Sequence, residues 1–281
     1  MKKGTFVFSL IIASLTAPVA SVIAQGVNNS SSKGCSALPK WSELKAALVA
    51  AVAQNNGALQ NNMWGTIVDR DGVVCAVAFT GGDRTQQWPG SRVISAQKAN
   101  TANEFSLPAG GSGLFPTGLS LATANLYTAV QPGGSLYGLQ ASNPVSTDVA
   151  YSGNPANYGL ANDGMVGGRI GGVNVFGGGL ALYASSENGP VLLGGIGVSG
   201  DTSCADHNVA YRTRHTLNLD FVPAGINPDP AHKDNIVYDI VQQGGNTPGI
   251  GQMPGLSPSG WGHPMCFPAD VTASGTLPAN Q

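Results

Sequence analysis

The sequence contains few charged residues and no excess of basic ones. Thirteen of 281 residues are Lys or Arg and 15 are Asp or Glu, so only 10% are charged, against about 25% in an average soluble domain. The formal net charge of -2 excludes electrostatic nucleic-acid binding as the main function, because neutralising phosphates needs a basic face. A hydrophobic content of 42% is ample for a folded core and excludes general disorder.

Long apolar runs are absent except at the N-terminus. Two lysines precede an apolar stretch from Phe6 to Ala24, and small residues end it. We predict a secretory signal peptide over residues 1–24. The alternative is an uncleaved anchor, for which Pro18 and several hydroxyl residues make the stretch a poor membrane span. We therefore expect no stable membrane span and a periplasmic or secreted protein.

Cysteine is scarce, and its spacing excludes several kinds of site. No Cys-x-x-Cys motif occurs, and no Cys or His pair has ligand spacing, which disfavours a thioredoxin-like site, c-type haem attachment and a zinc site. An even number of cysteines in an exported protein predicts two disulfides, although four cysteines permit three pairings. Position along the chain favours the pairs Cys35–Cys75 and Cys204–Cys266.

Hydrophobic periodicity predicts three helices and two hairpins. The predicted helices cover residues 39–54, 93–105 and 204–219, and the predicted strands cover residues 63–68, 73–79, 178–183 and 190–198. We expect Ser203 to cap the last helix, with Asp206 completing a capping box. The order helix, hairpin, helix, hairpin, helix predicts an α+β domain, with a mainly antiparallel sheet flanked by helices.

Three segments follow the predicted signal peptide. Residues 25–37 are rich in Ser, Asn and Gly and are predicted to be a flexible lead-in. A domain over residues 38–222 contains an insertion at about 106–172, whose aromatic residues indicate a packed segment with a helical turn near 119–126. Residues 223–281 form a Pro/Gly-rich tail, which Cys266 would pin to the last helix.

One glycine-rich motif permits two interpretations. Residues 195–200 match the dinucleotide pattern G-x-G-x-x-G between a predicted strand and a predicted helix. A Rossmann unit also needs a parallel strand after the helix, and the sequence offers only Phe221 and Val222 before Pro223. The alternative, which we favour, is that these glycines let the strand pack closely on a helix or turn sharply.

Histidine is the residue type most suggestive of a ligand site. His207 is predicted to lie in the first turn of the last helix, where the positive dipole end favours a neutral imidazole. His263 and Met265 flank Cys266, so the predicted tail disulfide would bring them near His207. The structural alternative for each histidine is a ring satisfied by hydrogen bonds at a helix end.

Two stretches resemble the GlcG/HbpS-like family, a haem-binding module also fused to some cobalamin adenosyltransferases. Residues 94–102, ISAQKANTA, are similar to the Ser-x-x-Lys-Ala-x-Thr-Ala helix of that family. Residues 178–182, 194–200 and 205–210 are similar to its Gly-Gly-x-Pro hairpin, its Gly-x-Gly-Val-Ser-Gly turn and its Asp-x-x-Val-Ala helix. Ala181 replaces the usual proline, and the insertion and tail have no counterpart in short members.

The resemblance implies haem or a related tetrapyrrole as ligand, and homo-oligomers. His207 is then the first candidate for axial ligand, with His263 or Met265 second. Candidate partners of the propionates, and charged residues near the expected site, are Arg212, Arg214, Arg169, Lys98 and Asp206.

Two alternative functions stay open at this point. One is an accessory or enzymatic role on a small organic substrate, with the insertion covering a pocket beside Lys98 and Asp206. The other is an oligomeric binding scaffold without cofactor.

Overall fold

A sheet of four antiparallel strands organises the fold. The computed structural model describes Met1 and residues 34–241 and 257–281, so the predicted signal peptide and most of the lead-in lie outside the described residues. The strands, which lie in the order β2-β1-β4-β3, are β1 (Trp64–Asp69), β2 (Val74–Phe79), β3 (Gly179–Ala184) and β4 (Val191–Ser199). Every neighbouring pair is antiparallel. The predicted α+β class and antiparallel sheet are confirmed.

Helices cover both faces of this sheet. The α-helices of the described ranges are α1 (Trp41–Val52), α2 (Ser91–Phe105), α3 (Leu139–Ser142), α4 (Thr147–Ala150), α5 (Ser203–Thr216) and α6 (Pro268–Ser274). Successive residues of a strand point to opposite faces, so Ile67 packs with α1 and α5, whereas Val68 packs with α2 and the insertion. The sheet therefore separates an α1/α5 layer from an α2 layer.

Glycines on β4 allow α2 to approach the sheet closely. A Cβ atom at Gly197 would lie 1.9 Å from the carbonyl oxygen of Ser95, and one at Gly195 would lie 2.2 Å from that of Ala99. Both oxygens belong to the α2 backbone, so only glycine fits. This confirms the packing interpretation of the glycine-rich motif, and the antiparallel strands around it do not form the parallel unit of a dinucleotide site.

Two disulfides join the ends of the chain to the domain. Cys35 is bonded to Cys75 on β2, and Cys204 of α5 is bonded to Cys266 of the tail. Both predicted pairings are confirmed, and two disulfides are consistent with an extracellular protein. None of the helices in the described ranges is long and apolar enough to span a bilayer.

The predicted cap of α5 is wrong by one residue. Thr202 is the N-cap, and its hydroxyl accepts a hydrogen bond from the Ala205 N–H at 3.2 Å. Ser203 is the first helical residue, and its hydroxyl instead accepts a hydrogen bond from the Gly177 N–H at 2.7 Å. Thr and Ser are both good caps, so tertiary contacts decide between these neighbours.

The insertion covers the β2 edge of the sheet, and the segment that follows α5 covers the β3 edge. Backbone bonds join Val74 of β2 to residues 167–168, and others join Tyr183 of β3 to Leu219 and Phe221. The predicted helical turn of the insertion is a short 3-10 helix, Thr123–Leu126, whereas α6 in the tail was not predicted. The predicted domain boundaries and homo-oligomer stay predictions.

We predict that Gly197→Ala destabilises the protein by about 1–3 kcal/mol, because the added methyl group must push α2 away from β4. Gly90→Ala is the matched control: a Cβ atom there meets nothing within 4 Å and φ is -61°, so we expect a change of about 0.5 kcal/mol or less. Urea unfolding measures both. Equal stabilities of the two variants would contradict the close-packing argument.

Candidate functional site

Three buried ion pairs contain much of the scarce charge of this chain. They are Arg92–Asp163, Lys98–Asp206 and Arg214–Asp234, and every side chain in them is at most 3% exposed. Each pair joins an α-helix to a segment distant in sequence. Removing one partner of such a pair leaves a buried unpaired charge, so these residues are held in place.

Lys98 and Asp206 connect the two layers of the fold. The Lys98 ammonium donates to Asp206 Oδ2 at 2.6 Å and to the Val198 carbonyl at 3.1 Å. It passes Gly178, where a Cβ atom would lie 3.2 Å from Nζ. Burial lowers the pKa of Lys98 and raises that of Asp206 to about 6. Neither of the two cavities formed by the described residues is lined by this pair, and the predicted pocket beside it stays a prediction.

Arg214 anchors the tail and the insertion to α5. Its guanidinium donates to both oxygens of Asp234, at 2.5 and 2.8 Å, and to the Ala181 carbonyl at 3.1 Å. The Ser120 hydroxyl donates to the same carboxylate at 2.6 Å. Arg214 therefore makes these hydrogen bonds inside the protein, and its predicted propionate role stays a prediction.

His207 lies fully enclosed next to this cluster. Its ring is 0% exposed, and neither ring nitrogen has a hydrogen-bond partner. The Tyr211 ring lies 5.9 Å away between centroids, and a Cβ atom at Gly177 would lie 3.1 Å from His207 Cβ. Burial lowers the pKa of His207 to about 3, so the imidazole is neutral. A neutral imidazole suits iron, but coordination by His207 requires the covering segments to move.

His263 fastens the tail to the start of α5. A carbonyl only accepts, so Nδ1–H donates to the Pro264 carbonyl at 2.7 Å, and Nε2 accepts from the Ser203 hydroxyl at 2.7 Å. Burial lowers the pKa of His263 to about 4. Both ring nitrogens of His263 therefore have hydrogen-bond partners, which agrees with the alternative of a structural histidine at a helix end. Met265 is 67% exposed.

The remaining predicted arginines do not meet at one site. Arg212 is 8% exposed and donates to the Asn56 side chain at 3.1 Å and the Thr276 hydroxyl at 2.9 Å. Arg169 is exposed, and its backbone pairs with Val73 before β2. The iron-ligand and propionate roles of all these residues stay predictions.

The larger described cavity lies in the α2 layer instead. It measures about 330 Å³ and is formed between the β1–β2–α2 region and the insertion, and we call it the Trp64 cavity. Its lining residues are Trp64, Arg84, Thr85, Pro89, Arg92, Val93, Tyr151, Pro155 and Tyr158.

A contact between the Arg92 guanidinium and the Tyr158 ring forms one wall of the Trp64 cavity. The Arg92 guanidinium carbon lies 3.5 Å from the Tyr158 ring centroid, while Arg92 Nε donates to Asp163 at 2.9 Å. Arg92 Nη1 also donates to the Ala150 carbonyl at 2.6 Å. The Tyr158 hydroxyl donates to the Tyr151 carbonyl at 3.1 Å. The wall is thus built before any ligand arrives.

Trp64 and Arg84 complete the cavity. The Trp64 indole N–H donates to the Trp88 carbonyl at 3.1 Å, which fixes the ring. Tyr151 is 64% exposed at the rim. Arg84 is half-buried, and no carboxylate within the described ranges forms an ion pair with it. The cavity therefore offers aromatic surfaces and one available cation.

Sequence reasoning missed this site, although part of its signal was present. Tyr151 and Tyr158 are among the aromatic residues of the insertion that are predicted to pack, but nothing in the sequence singles out Arg92. Trp64 looked like an ordinary strand residue. The pairing of Asp163 with Arg92 spans 71 positions and no periodic pattern indicates it.

We predict that His207→Leu reduces the acid sensitivity of stability. The folded-state pKa of about 3 lies below the ordinary 6.5, so the unfolded chain binds the proton first. The free energy of unfolding of the wild type therefore falls as pH drops from about 6.5 towards 3.

Asp206, with its raised pKa, acts in the opposite sense and His263 in the same sense, but both remain in the variant. At neutral pH the substitution costs less than about 1.5 kcal/mol, since no hydrogen bond is lost. Urea unfolding from pH 7 to 4 measures the difference. Parallel curves for wild type and variant would show that His207 is not the responsible group.

Solved structures resemble this chain at low identity. The crystal structure of a PduOC–haem complex is 24% identical, covers 63% of this chain and 91% of that chain, and has a TM-score of 0.41. Klebsiella pneumoniae protein ORFY, of family DUF336, is 23% identical over 63% of this chain and 87% of that chain, with a TM-score of 0.37. A double mutant of Streptomyces reticuli HbpS is 15% identical over 63% and 83%, with a TM-score of 0.36.

No curated protein matches the chain. The model of one protein family, described as haem degrading protein HbpS-like, matches residues 40–214. The match contains all four strands together with α1 and α2, and most of α5. It agrees with the resemblance seen in the sequence motifs, and the chain belongs to the HbpS-like family.

Proposed function

We propose that this protein binds haem or a closely related tetrapyrrole, and that the Trp64 cavity holds an edge of the macrocycle. Family membership supports the ligand class, because the family description concerns haem. The observation that carries the choice of site is the aromatic-walled cavity between the domain and its insertion.

The shape and chemistry of the cavity suit a flat aromatic ligand. Its volume of about 330 Å³ lies within the range of about 300–1,000 Å³ for small-molecule sites. Aromatic rings favour offset or edge-to-face contacts with other rings, which Tyr151 and Tyr158 can supply, whereas Trp64 is 2% exposed. Trp88, next to the lining residue Pro89, is 51% exposed, and we propose that this surface also contacts the ligand. A porphyrin edge would enter the cavity while the rest of the ring lies against this surface.

The residues present fit the ring and its carboxylates, but not iron coordination by histidine. The lining contains no His, Cys or Met, the side chains that most often bind haem iron. Bound haem would supply a redox-active iron. The residues of this chain would stack on the ring, pair with a propionate through Arg84 and shield one edge of the ligand from water.

We also propose that the protein acts after export, in the periplasm or outside the cell. Two disulfides support this location, because they form and persist in oxidising compartments. The predicted signal peptide would direct the export. Such a protein would capture free haem in the periplasm or outside the cell, where the aromatic surface of the haem is otherwise exposed to water.

We predict that Tyr151→Ala weakens haem binding by about tenfold, because one stacking surface at the rim is lost. Tyr137→Ala is the matched control: Tyr137 is 69% exposed, against 64% for Tyr151, and does not line the cavity. Titration of purified apoprotein with haem, followed by the Soret band, measures both variants.

His207→Leu is measured in the same titration. Haem affinity that falls with this variant and not with Tyr151→Ala would place the ligand at α5 and overturn the choice of the Trp64 cavity. No saturable binding at micromolar haem would overturn the proposed function itself.

A further inference from the structure

We infer that the Trp64 cavity recognises the aromatic ring and a carboxylate of its ligand, and that iron is not needed for binding. This inference rests on the proposed function and specifies its ligand class further. It follows from three features: the donor atoms that line the cavity, the state of its two arginines, and the sheet that separates it from the histidines of α5.

None of the side-chain oxygens that line the cavity is fully buried, since Tyr158 is half-buried and both Thr85 and Tyr151 are exposed. The Tyr158 hydroxyl donates to the Tyr151 carbonyl at 3.1 Å. The Thr85 hydroxyl donates to Asp83 Oδ1 at 2.6 Å, and that carboxylate also accepts from the Thr85 N–H at 2.8 Å. Only Tyr151 adds a further side-chain oxygen, and it is 64% exposed at the rim. An iron ion would therefore gain no buried, preorganised axial ligand here.

The two arginines of the cavity have different roles. Arg92 is 2% exposed, and its guanidinium donates to Asp163 and to the Ala150 carbonyl. It is a structural part of the wall. Arg84 is half-buried, and no carboxylate of the described ranges lies within ion-pair distance of it, although the neighbouring Asp83 interacts with its charge. Its guanidinium can therefore bind a ligand carboxylate, which is a stronger contact than a neutral hydrogen bond.

The two histidines predicted as iron ligands lie on the other side of the sheet. Trp64 packs with Val93 and Ala96 of α2, whereas Val209 and Ala210 of α5 pack with Ile67 on the opposite face. His207 is on α5 and His263 is bonded to Ser203 at the start of α5. Neither imidazole can reach a ring seated against Trp64 without crossing the sheet.

The test compares three probes: haem, metal-free protoporphyrin IX, and protoporphyrin IX dimethyl ester, which lacks free carboxylates. Wild-type protein should bind haem and protoporphyrin IX with affinities within about threefold, since neither ring nor carboxylate differs between them. The ester should bind about tenfold more weakly, because the charge-assisted contact is lost. Quenching of tryptophan fluorescence measures all three affinities.

Variants of two basic residues assign the carboxylate contact. Arg84→Gln should weaken the binding of protoporphyrin IX about tenfold and leave that of the ester unchanged, because the variant and the ester remove the same contact. Lys233→Gln is the control: Lys233 is half-buried like Arg84, lies in the tail and does not line the Trp64 cavity. It should bind all three probes as the wild type does. Thermal unfolding confirms that both variants fold.

The outcomes separate this inference from the proposed function. Haem that binds at least about thirtyfold more tightly than protoporphyrin IX would overturn the inference and leave the proposed function intact. If Arg84→Gln weakened the binding of protoporphyrin IX and of its dimethyl ester equally, the proposed contact between Arg84 and a ligand carboxylate would be wrong. If neither haem nor protoporphyrin IX bound, the proposed function itself would fail.

Discussion

The ion pair between Arg214 and Asp234 is the interaction on which the arrangement of α5, the insertion and the tail depends. Both side chains are fully buried, and Ser120 of the insertion donates to the same carboxylate. Burying two charges costs free energy that only close pairing and further hydrogen bonds offset. The tail can therefore not leave α5 without exposing or orphaning Arg214. In a chain with 10% charged residues, such pairs specify which segments meet.

The Arg92–Asp163 pair holds the insertion against α2, as the Arg214–Asp234 pair holds the tail against α5. Asp163 also accepts backbone N–H bonds from Gly159 and Met165, so one carboxylate shapes the loop and fixes it to α2. This places Tyr158 over the Arg92 guanidinium, at 3.5 Å from the ring centroid. The contacts that hold the insertion against α2 therefore also form the aromatic wall of the Trp64 cavity.

Local signals predicted much of the fold, and long-range contacts account for what they missed. The hairpin at Gly72 and the helix stripe of α1 follow from turn chemistry and period, and both were predicted. The cap at Thr202 was missed because Ser203, an equally good cap by type, has a tertiary partner in Gly177. The cavity was missed because its walls come from three segments that no sequence period relates.

The buried network also explains why the expected ligand residues and the observed cavity differ. A side chain that neutralises a buried partner is not free to bind a ligand, since withdrawing it would leave an unpaired charge in the core. Lys98, Asp206 and Arg214 are all committed in this way. His207 is uncommitted but enclosed by the packing they maintain. A binding surface can then form where a segment joins the domain without sealing it, and the cavity between α2 and the insertion, which Arg84 lines, meets that condition.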